Sequence, residues 1–277
     1  AGSIERSENP RFSFENFHGD VRGKRVCPAM ITEGRDEFKW VGRKIIYPNI
    51  IDSPDTQFYG MCPFSYGNND MVFGFLHVFK YTGPGPANDD GPVEAHLIYS
   101  RDGLNWHRLK DRRPIIPIGP EGSFDDGMIM MTANGTFLHD NKIYTYYTAA
   151  NTGHGALIKD RDFGIAIATW GKDRLVALEA GLTQGIVETV VLKVPDGTVP
   201  IVNADARGGY LVTEVLDKRG QVQPGFSSEN CVVMHSDDFD YELKWKEKKF
   251  SEAKKPLCLR FKVKNAKLFS VRFDESK

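Results

Sequence analysis

Apolar residues along this chain come in short runs, rich in Val, Ile, Phe, Tyr and Thr, that end at Gly, Asp, Asn or Pro. β-Branched and aromatic side chains suit a pleated surface, and the terminating residues favour turns, so the pattern predicts strands joined by tight connections. Helical spacing is nearly absent. Strands are predicted over 12–17, 25–32, 44–47, 59–66, 71–79, 93–100 and 105–109, then over 128–139, 142–149, 164–169 and 175–178. The register changes around Leu182 to Pro200, and beyond it 199–203, 209–216, 241–245 and 257–273 alternate like the strands of a sandwich. Asp217-Lys-Arg-Gly220 reads as a hairpin turn, and Asn134-Gly-Thr136, a glycosylation sequon by pattern, is expected to form another. The expectation is an all-β chain: β-propeller-like blades over 1–184, then a C-terminal β-sandwich over 185–277.

A weak repeat appears when the turns are aligned. Its copies are Thr32-Glu-Gly-Arg-Asp-Glu-Phe-Lys-Trp40, Ser100-Arg-Asp-Gly-Leu-Asn-Trp106 and Thr169-Trp-Gly-Lys-Asp-Arg-Leu-Val-Ala-Leu178. Their period of roughly 65 to 75 residues is long for a propeller, as expected for four-stranded blades with extended loops. In the middle copy Ser100 and Asp102 are placed to bond the turn backbone, Gly103 to supply its dihedral angle and Trp106 to pack between sheets. This turn resembles a shortened sialidase Asp-box, a structural feature of blade rims, which implies little catalytic weight for its residues.

Charge narrows the partners. Lys plus Arg (36) balances Asp plus Glu (37), leaving a net charge of -1, so no global field would draw nucleic acid or an anionic membrane, and a neutral polar ligand fits better. The basic stretch from Lys244 to Lys255 is broken by Glu247 and Glu252 and reads as a solvated loop rather than a nucleic-acid patch. No run reaches the roughly 18 apolar residues needed to span a bilayer, so no membrane insertion is expected. The start, Ala1-Gly2-Ser3, lacks the regions of a signal peptide and reads as a processed end or tag remnant. Cys27, Cys62, Cys231 and Cys258 form no Cys-x-x-Cys, which argues against a zinc knuckle or redox motif and favours buried free thiols. No nucleophile elbow, phosphate-binding glycine loop or His-Glu-x-x-His is present, and no cofactor or metal motif is seen.

Carboxylates are the remaining chemistry. Hydrolysis of a glycosidic bond needs two of them across one cavity, and in a propeller they come from the starts of the innermost strands, which meet at one mouth. Asp55 precedes such a strand, where it is either a site residue or a turn cap, and Tyr59 follows as an aromatic able to support a sugar ring. Asp125 and Asp126 precede another; successive side chains diverge, so one of the two is expected to be structural. Glu94 and His96 share a face of the strand 93–100, either as a cross-strand polar pair or as a proton donor with a hydroxyl-binding imidazole. His154 lies in the loop Asn151-Thr-Gly-His-Gly155, within reach of a ligand at the mouth or simply exposed.

From about Trp40 onward the sequence resembles a group of uncharacterised bacterial proteins that look like glycoside hydrolase families 32 and 43. The resemblance rests on Phe58-Tyr-Gly-Met61, Asp90-Gly-Pro-Val93, Tyr99-Ser-Arg-Asp-Gly-Leu-Asn-Trp106, Gly119-Pro-Glu-Gly-Ser-Phe-Asp125 with Gly127, and His154-Gly155. Further along it rests on Asn203-Ala-Asp-Ala206 with Gly208-Gly209, Pro224-Gly-Phe-Ser227, and Leu259-Arg-Phe261 with Asn265-Ala266. It implies a five-bladed propeller plus C-terminal sandwich, a carbohydrate ligand, export to the periplasm or outside, and room for a calcium ion at the axis. The families' catalytic motifs, resembling Trp-Met-Asn-Asp-Pro-Asn-Gly, Arg-Asp-Pro and Glu-Cys-Pro, are not intact here; in Met61-Cys-Pro63 a methionine stands where the acid would be. Relative to that group the chain enters the propeller partway, near 11–17. A partial propeller exposes strand edges, which implies self-association or complementary blades from elsewhere.

Two functions follow. The first is a glycoside hydrolase acting on oligo- or polysaccharide, with Asp55, Glu94 and Asp125 as carboxyls and Tyr59, His96, Asp126 and His154 contacting substrate. The second is a non-catalytic carbohydrate-binding or assembly module. A carboxylic acid of raised pKa in a sugar-sized pocket would favour the first. Exposed aromatics without a convergent carboxyl pair would favour the second. A structural repeat scaffold with its polar groups satisfied is a third reading.

Overall fold

The computed structural model describes residues 5–6, 25–33, 39–66 and 71–275. The predicted strand 12–17 and the turn of the first repeat copy lie outside them. The chain is all-β: among the described residues the helical pieces are two single 3-10 turns, Ile158–Asp160 and Phe250–Glu252. No helix there is long and apolar enough to cross a membrane. The chain divides into two compact units, 1–169 and 170–277.

In the first unit β1 (Glu5–Arg6), β2 (Arg25–Glu33) and β3 (Lys39–Ile46) form a three-stranded antiparallel sheet. β4 (Thr56–Ser65) and β5 (Val72–Lys80) pair as a hairpin. A two-stranded ribbon, β6 (Gly83–Pro84) with β7 (Asp89–Asp90), then leads into β8 (Val93–Ser100) and the short β9 (His107–Arg108). The order β4-β5-β8-β9 is a four-stranded antiparallel meander. β10 (Met128–His139) and β11 (Lys142–Ala150) form the next hairpin, with β12 (Phe163–Gly171) beyond β11 at the sheet edge. One parallel pair, Met128 opposite Val93, joins the two groups into a single seven-stranded sheet.

Both faces of the meander are covered. Phe58, Met61, Leu76, Val78 and Ile98 pack on one side with Cys27, Ala29 and Trp106, while Phe79 and Val93 pack on the other with Met128 and Ala150. Strands buried on both faces read as continuous apolar runs, which is why Val72–Lys80 and Val93–Ser100 show little alternation. The middle repeat turn is built as predicted. Ser100 Oγ accepts from the Gly103 N–H at 2.9 Å, Asp102 Oδ1 from those of Asn105 and Leu104 at 2.6 and 2.9 Å, and Gly103 has φ 71°. Backbone N–H groups of Asn105 and Leu104 hold the Asp102 carboxyl well below its usual range. Trp106 donates its indole N–H to Gly103 O at 2.8 Å, and its ring occupies space that a Cβ on Gly74 would invade at 3.2 Å. At the third copy, the Arg174 N–H bonds Gly171 O at 3.0 Å and Asp173, at φ 62°, takes the left-handed position that Gly103 fills in the second.

Asn134-Gly-Thr136 does not turn the chain. β10 runs through it with a register jump from Met131 opposite Tyr147 to Thr136 opposite Thr145. The hairpin turns instead at Asp140 and Asn141, both left-handed at φ 45° and 57°, because Thr136 to His139 still find partners in Lys142 to Thr145.

The second unit holds β13 (Leu178–Ala180), β14 (Gly185–Glu188), β15 (Thr198–Asp205), β16 (Tyr210–Leu216), β17 (Asp237–Glu242), β18 (Cys258–Lys264) and β19 (Ala266–Glu275). Two antiparallel sheets, β13-β19-β15-β17 and β14-β18-β16, share one core around Val202, Leu211, Phe226, Trp245, Leu259 and Phe261. The predicted run 257–273 is two strands, reversed at Asn265 with φ 44°. The predicted strand 241–245 shifts to Asp237–Glu242, because Trp245 leaves the sheet to bury its ring and donate to Thr213 O at 3.0 Å. The predicted 175–178 shifts to Leu178–Ala180, since Leu175 is drawn into the core. Asp217 to Gly220 does turn, with the Gly220 N–H on Asp217 O at 3.0 Å and φ 79° at Gly220. Cys27, Cys62, Cys231 and Cys258 form no disulfide.

Candidate functional site

Of the residues singled out in the sequence, Tyr59 and His154 are brought into contact. An irregularity in β4 between Phe58 and Gly60 turns Tyr59 toward the loop 151–155, and its hydroxyl meets His154 Nε2. His154 Nδ1 lies 2.9 Å from the Asp89 carbonyl, which only accepts, so Nδ1 carries the proton and Nε2 accepts from the Tyr59 hydroxyl. Burial pushes the His154 pKa down and the neighbouring Arg25 adds to this, against the Asp89 carbonyl, so the ring is neutral at pH 7. The loop is pinned from both sides: the His154 N–H bonds Gly91 O at 2.9 Å, and Asp90 Oδ1 accepts from Gly91 and Gly155, each at 2.8 Å. A Cβ on Gly153 or Gly155 would come within 2.5 or 2.6 Å of Asp90 atoms, so the approach requires glycine.

Arg25 underlies this pair. It is 2% exposed, hydrogen-bonded to Gln57 Oε1 at 3.0 Å and paired with Asp89 Oδ2 at 3.2 Å. Its guanidinium carbon sits 4.9 Å from the Phe79 ring centre and 5.1 Å from that of Tyr59, a cation–π arrangement that shields a buried charge. Arg25, Gln57, Asp89 and Asp90 carry the constellation yet were not legible beforehand. Only Asp89-Asp90-Gly91 beside a strand offered a cue, since nothing local links positions 25, 57 and 89.

The three candidate carboxyls are held elsewhere. Glu94 stands opposite Val78 and Phe79 opposite Val93, so Glu94 projects from the sheet face opposite to that of Phe79. There it accepts from Lys80 Nζ at 2.8 Å and lies 3.3 Å from His96 Nε2. The His96 hydrogen bond lowers its pKa, outweighing burial and aided by Lys80, the reverse of what a proton donor needs. Asp125 accepts from Ser123 Oγ at 2.7 Å and Tyr147 Oη at 3.1 Å. Asp126 accepts from the Gly122 N–H at 2.6 Å, so both members of the pair brace the loop 119–127 where one was expected to. Asp55 accepts from Ser53 Oγ within the turn that starts β4, and its carbonyl accepts from the Tyr81 N–H at 3.0 Å. Among the described residues no group of three His, Cys, Asp or Glu is placed to hold a metal ion.

A different surface went unnoticed in the sequence. On the hairpin β10–β11, Ile143, Thr145, Tyr147 and Ala149 face inward, which turns Tyr144 and Tyr146 outward beside Phe137. Phe137 and Tyr146 are 45% and 41% exposed. The Phe137 ring lies 5.4 Å from Tyr144 at 12° and 6.1 Å from Tyr146 at 33°, forming one aromatic face. Its signal was the alternation Tyr144-Thr-Tyr146 across a hairpin from Phe137.

Comparison with family models finds no match, and comparison with curated proteins finds none. Among solved structures, the crystal structure of an N-acetylgalactosamine deacetylase from F. plautii in complex with blood group B trisaccharide is similar at 16% identity and a TM-score of 0.38. The match covers 55% of this chain and 43% of that one, so it spans less than half of the deacetylase.

Proposed function

We propose that this chain recognises carbohydrate and holds it without cleaving it, on the aromatic face of the β10–β11 hairpin. The observation that carries this reading is the exposure of Phe137 and Tyr146 beside Tyr144, with the Phe137 ring near-parallel to Tyr144 and tilted 33° from Tyr146. Apolar C–H faces of pyranose rings stack on such surfaces, while tyrosine hydroxyls serve the sugar hydroxyls. The carboxylates support the same choice. Asp55, Glu94 and Asp125 are each neutralised or hydrogen-bonded by their own neighbours, and none donates to or accepts from another. In this reading the four-stranded meander β4-β5-β8-β9 is a propeller blade and the second unit a β-sandwich, as the resemblance to glycoside hydrolase families 32 and 43 implies.

The test is an oligosaccharide array followed by calorimetric titration of the best ligand. Tyr146→Ala and Phe137→Ala, at exposed positions, are expected to weaken binding by about fivefold each while leaving the fold intact, since one stacked ring is worth about 1 kcal/mol. Hydrolysis lost on Glu94→Gln or Asp125→Asn would instead favour the glycoside hydrolase reading, in which Tyr59 and His154 contact the substrate.

A further inference from the structure

In the second unit a small cleft lies between the turn 217–220 and the segment 254–256. Its volume is about 290 Å³, at the lower edge of the range for ligand pockets, which suits one small ligand. The two walls are fastened together at their base by Gln223, which is 6% exposed. Its Oε1 accepts from the Lys254 N–H at 2.8 Å, and its Nε2 donates to Lys254 O at 2.9 Å and to Leu216 O at 3.4 Å. The turn holds its own shape, since Asp217 Oδ1 accepts from the Arg219 and Gln221 N–H groups at 2.8 and 3.0 Å.

The lining is cationic. Lys218, Arg219, Lys254 and Lys255 face one carboxylate, that of Asp217. The Gln221 and Arg219 N–H groups hold this carboxyl below its usual range, and the Arg219 and Lys218 charges assist. Lys255 is fixed outside the count, its ammonium on Pro195 O at 2.6 Å and on Asp196 Oδ1 at 2.9 Å. Lys218, Arg219 and Lys254 form no ion pair among the described residues. With Asp217 and Asp196 both set against the four cations, two positive charges remain, in a chain whose net charge is -1.

We propose that this cleft binds a phosphate dianion, free or as the monoester of a small molecule, with Arg219 and Lys254 as its main contacts. A dianion matches the surplus of two charges, whereas a single carboxylate would leave one cation uncompensated. The guanidinium fork of Arg219 fits two phosphate oxygens, and the lysine ammonium groups serve as point charges beside it. Nothing in this site depends on the aromatic face of the β10–β11 hairpin.

The experiment is calorimetric titration of the full chain, at low salt, with glucose 6-phosphate, inorganic phosphate, acetate and glucose. Both phosphates are expected to bind, acetate at least about tenfold more weakly, and glucose not at this site. Tighter binding of the ester would assign the cleft to a phosphorylated small molecule, and equal or weaker binding of the ester to free phosphate. A phosphomonoester gains its second charge near about pH 6, so glucose 6-phosphate should lose affinity several-fold between about pH 7.5 and pH 5, while the lysines stay charged throughout. Arg219→Ala is expected to weaken phosphate binding by about tenfold and Lys254→Ala by several-fold, both at an unchanged melting temperature that separates lost contact from lost fold. Absence of binding by either phosphate, acetate binding as tightly, an affinity for the ester that ignores pH, or indifference to both variants would each overturn the proposal. Tyr146→Ala should leave phosphate binding unchanged, and a loss there would move the site to the hairpin. Phosphate binding that persists while no oligosaccharide engages the hairpin would sink the preceding reading and leave this one standing.

Discussion

At His77, on β5, burial alone pulls the imidazole from 6.5 down to about 4, so the folded chain keeps it neutral where the unfolded chain takes up a proton. Stability is therefore full above about pH 6.5 and declines as pH falls toward 4, by up to about 3 kcal/mol. Urea midpoints at pH 7 and pH 4.5 should show that loss, and His77→Phe should remove most of its pH dependence; an unchanged acid slope in the variant would assign it elsewhere. Tyr59→Phe deletes one hydrogen bond to a neutral ring and is expected to cost about 1 kcal/mol in the same assay. Tyr59 and His154 were legible singly, an aromatic entering a strand and an imidazole in a glycine-rich loop. Their union was not, because it depends on the irregularity in β4 and on Arg25, 32 residues away from its partner Gln57. Glu94 and His96 were placed on one face correctly; that this face packs against apolar side chains, so that Glu94 is compensated by Lys80 rather than free, requires the third dimension.

Elements were read most closely where local chemistry bounds them. Val93–Ser100 starts after a proline and ends in a serine–aspartate turn, and Met128–His139 starts after Gly127, so both ranges match the expectation. The single parallel pair that joins them had no local signal. On β16, Glu214 is bound by Lys262 at 2.7 Å and Arg260 at 3.1 Å from β18, with Ser228 at 2.9 Å. Burial would raise its pKa, yet these donors bring it down to about 2, so it stabilises the fold above about pH 4.5 and loses that effect as pH falls toward 2. Glu214→Ala should destabilise by about 2 kcal/mol, read by thermal or urea unfolding, by leaving Lys262 without its carboxylate partner and Arg260 with Glu188 alone. At the sheet edge, β12 alternates exposed Phe163, Ile165 and Ile167, at 62%, 73% and 50%, with no charge between them. An uncharged edge of this kind invites another strand. Sedimentation is expected to show concentration-dependent association that Ile165→Lys reduces, and a chain that stays monomeric at all concentrations would contradict this.

Across the whole molecule, short apolar runs rich in β-branched and aromatic residues, each broken by turn residues, were enough to give the class. Function was less legible, because hydrolysis depends on which carboxylates meet across one cavity, and that is a property of topology. Asp55, Glu94 and Asp125 look equivalent in sequence, each beside or within a strand, but each ends among its own partners. The aromatic face escaped notice for the converse reason: tyrosine and phenylalanine in a strand read as core until the inward positions are known. The most direct test is a time course of the anomeric region in proton NMR, with the protein and its best oligosaccharide ligand at matched concentration. Binding without catalysis predicts broadened sugar signals that Tyr146→Ala restores, with no new anomeric resonance; product resonances growing with time and abolished by Glu94→Gln would contradict the account.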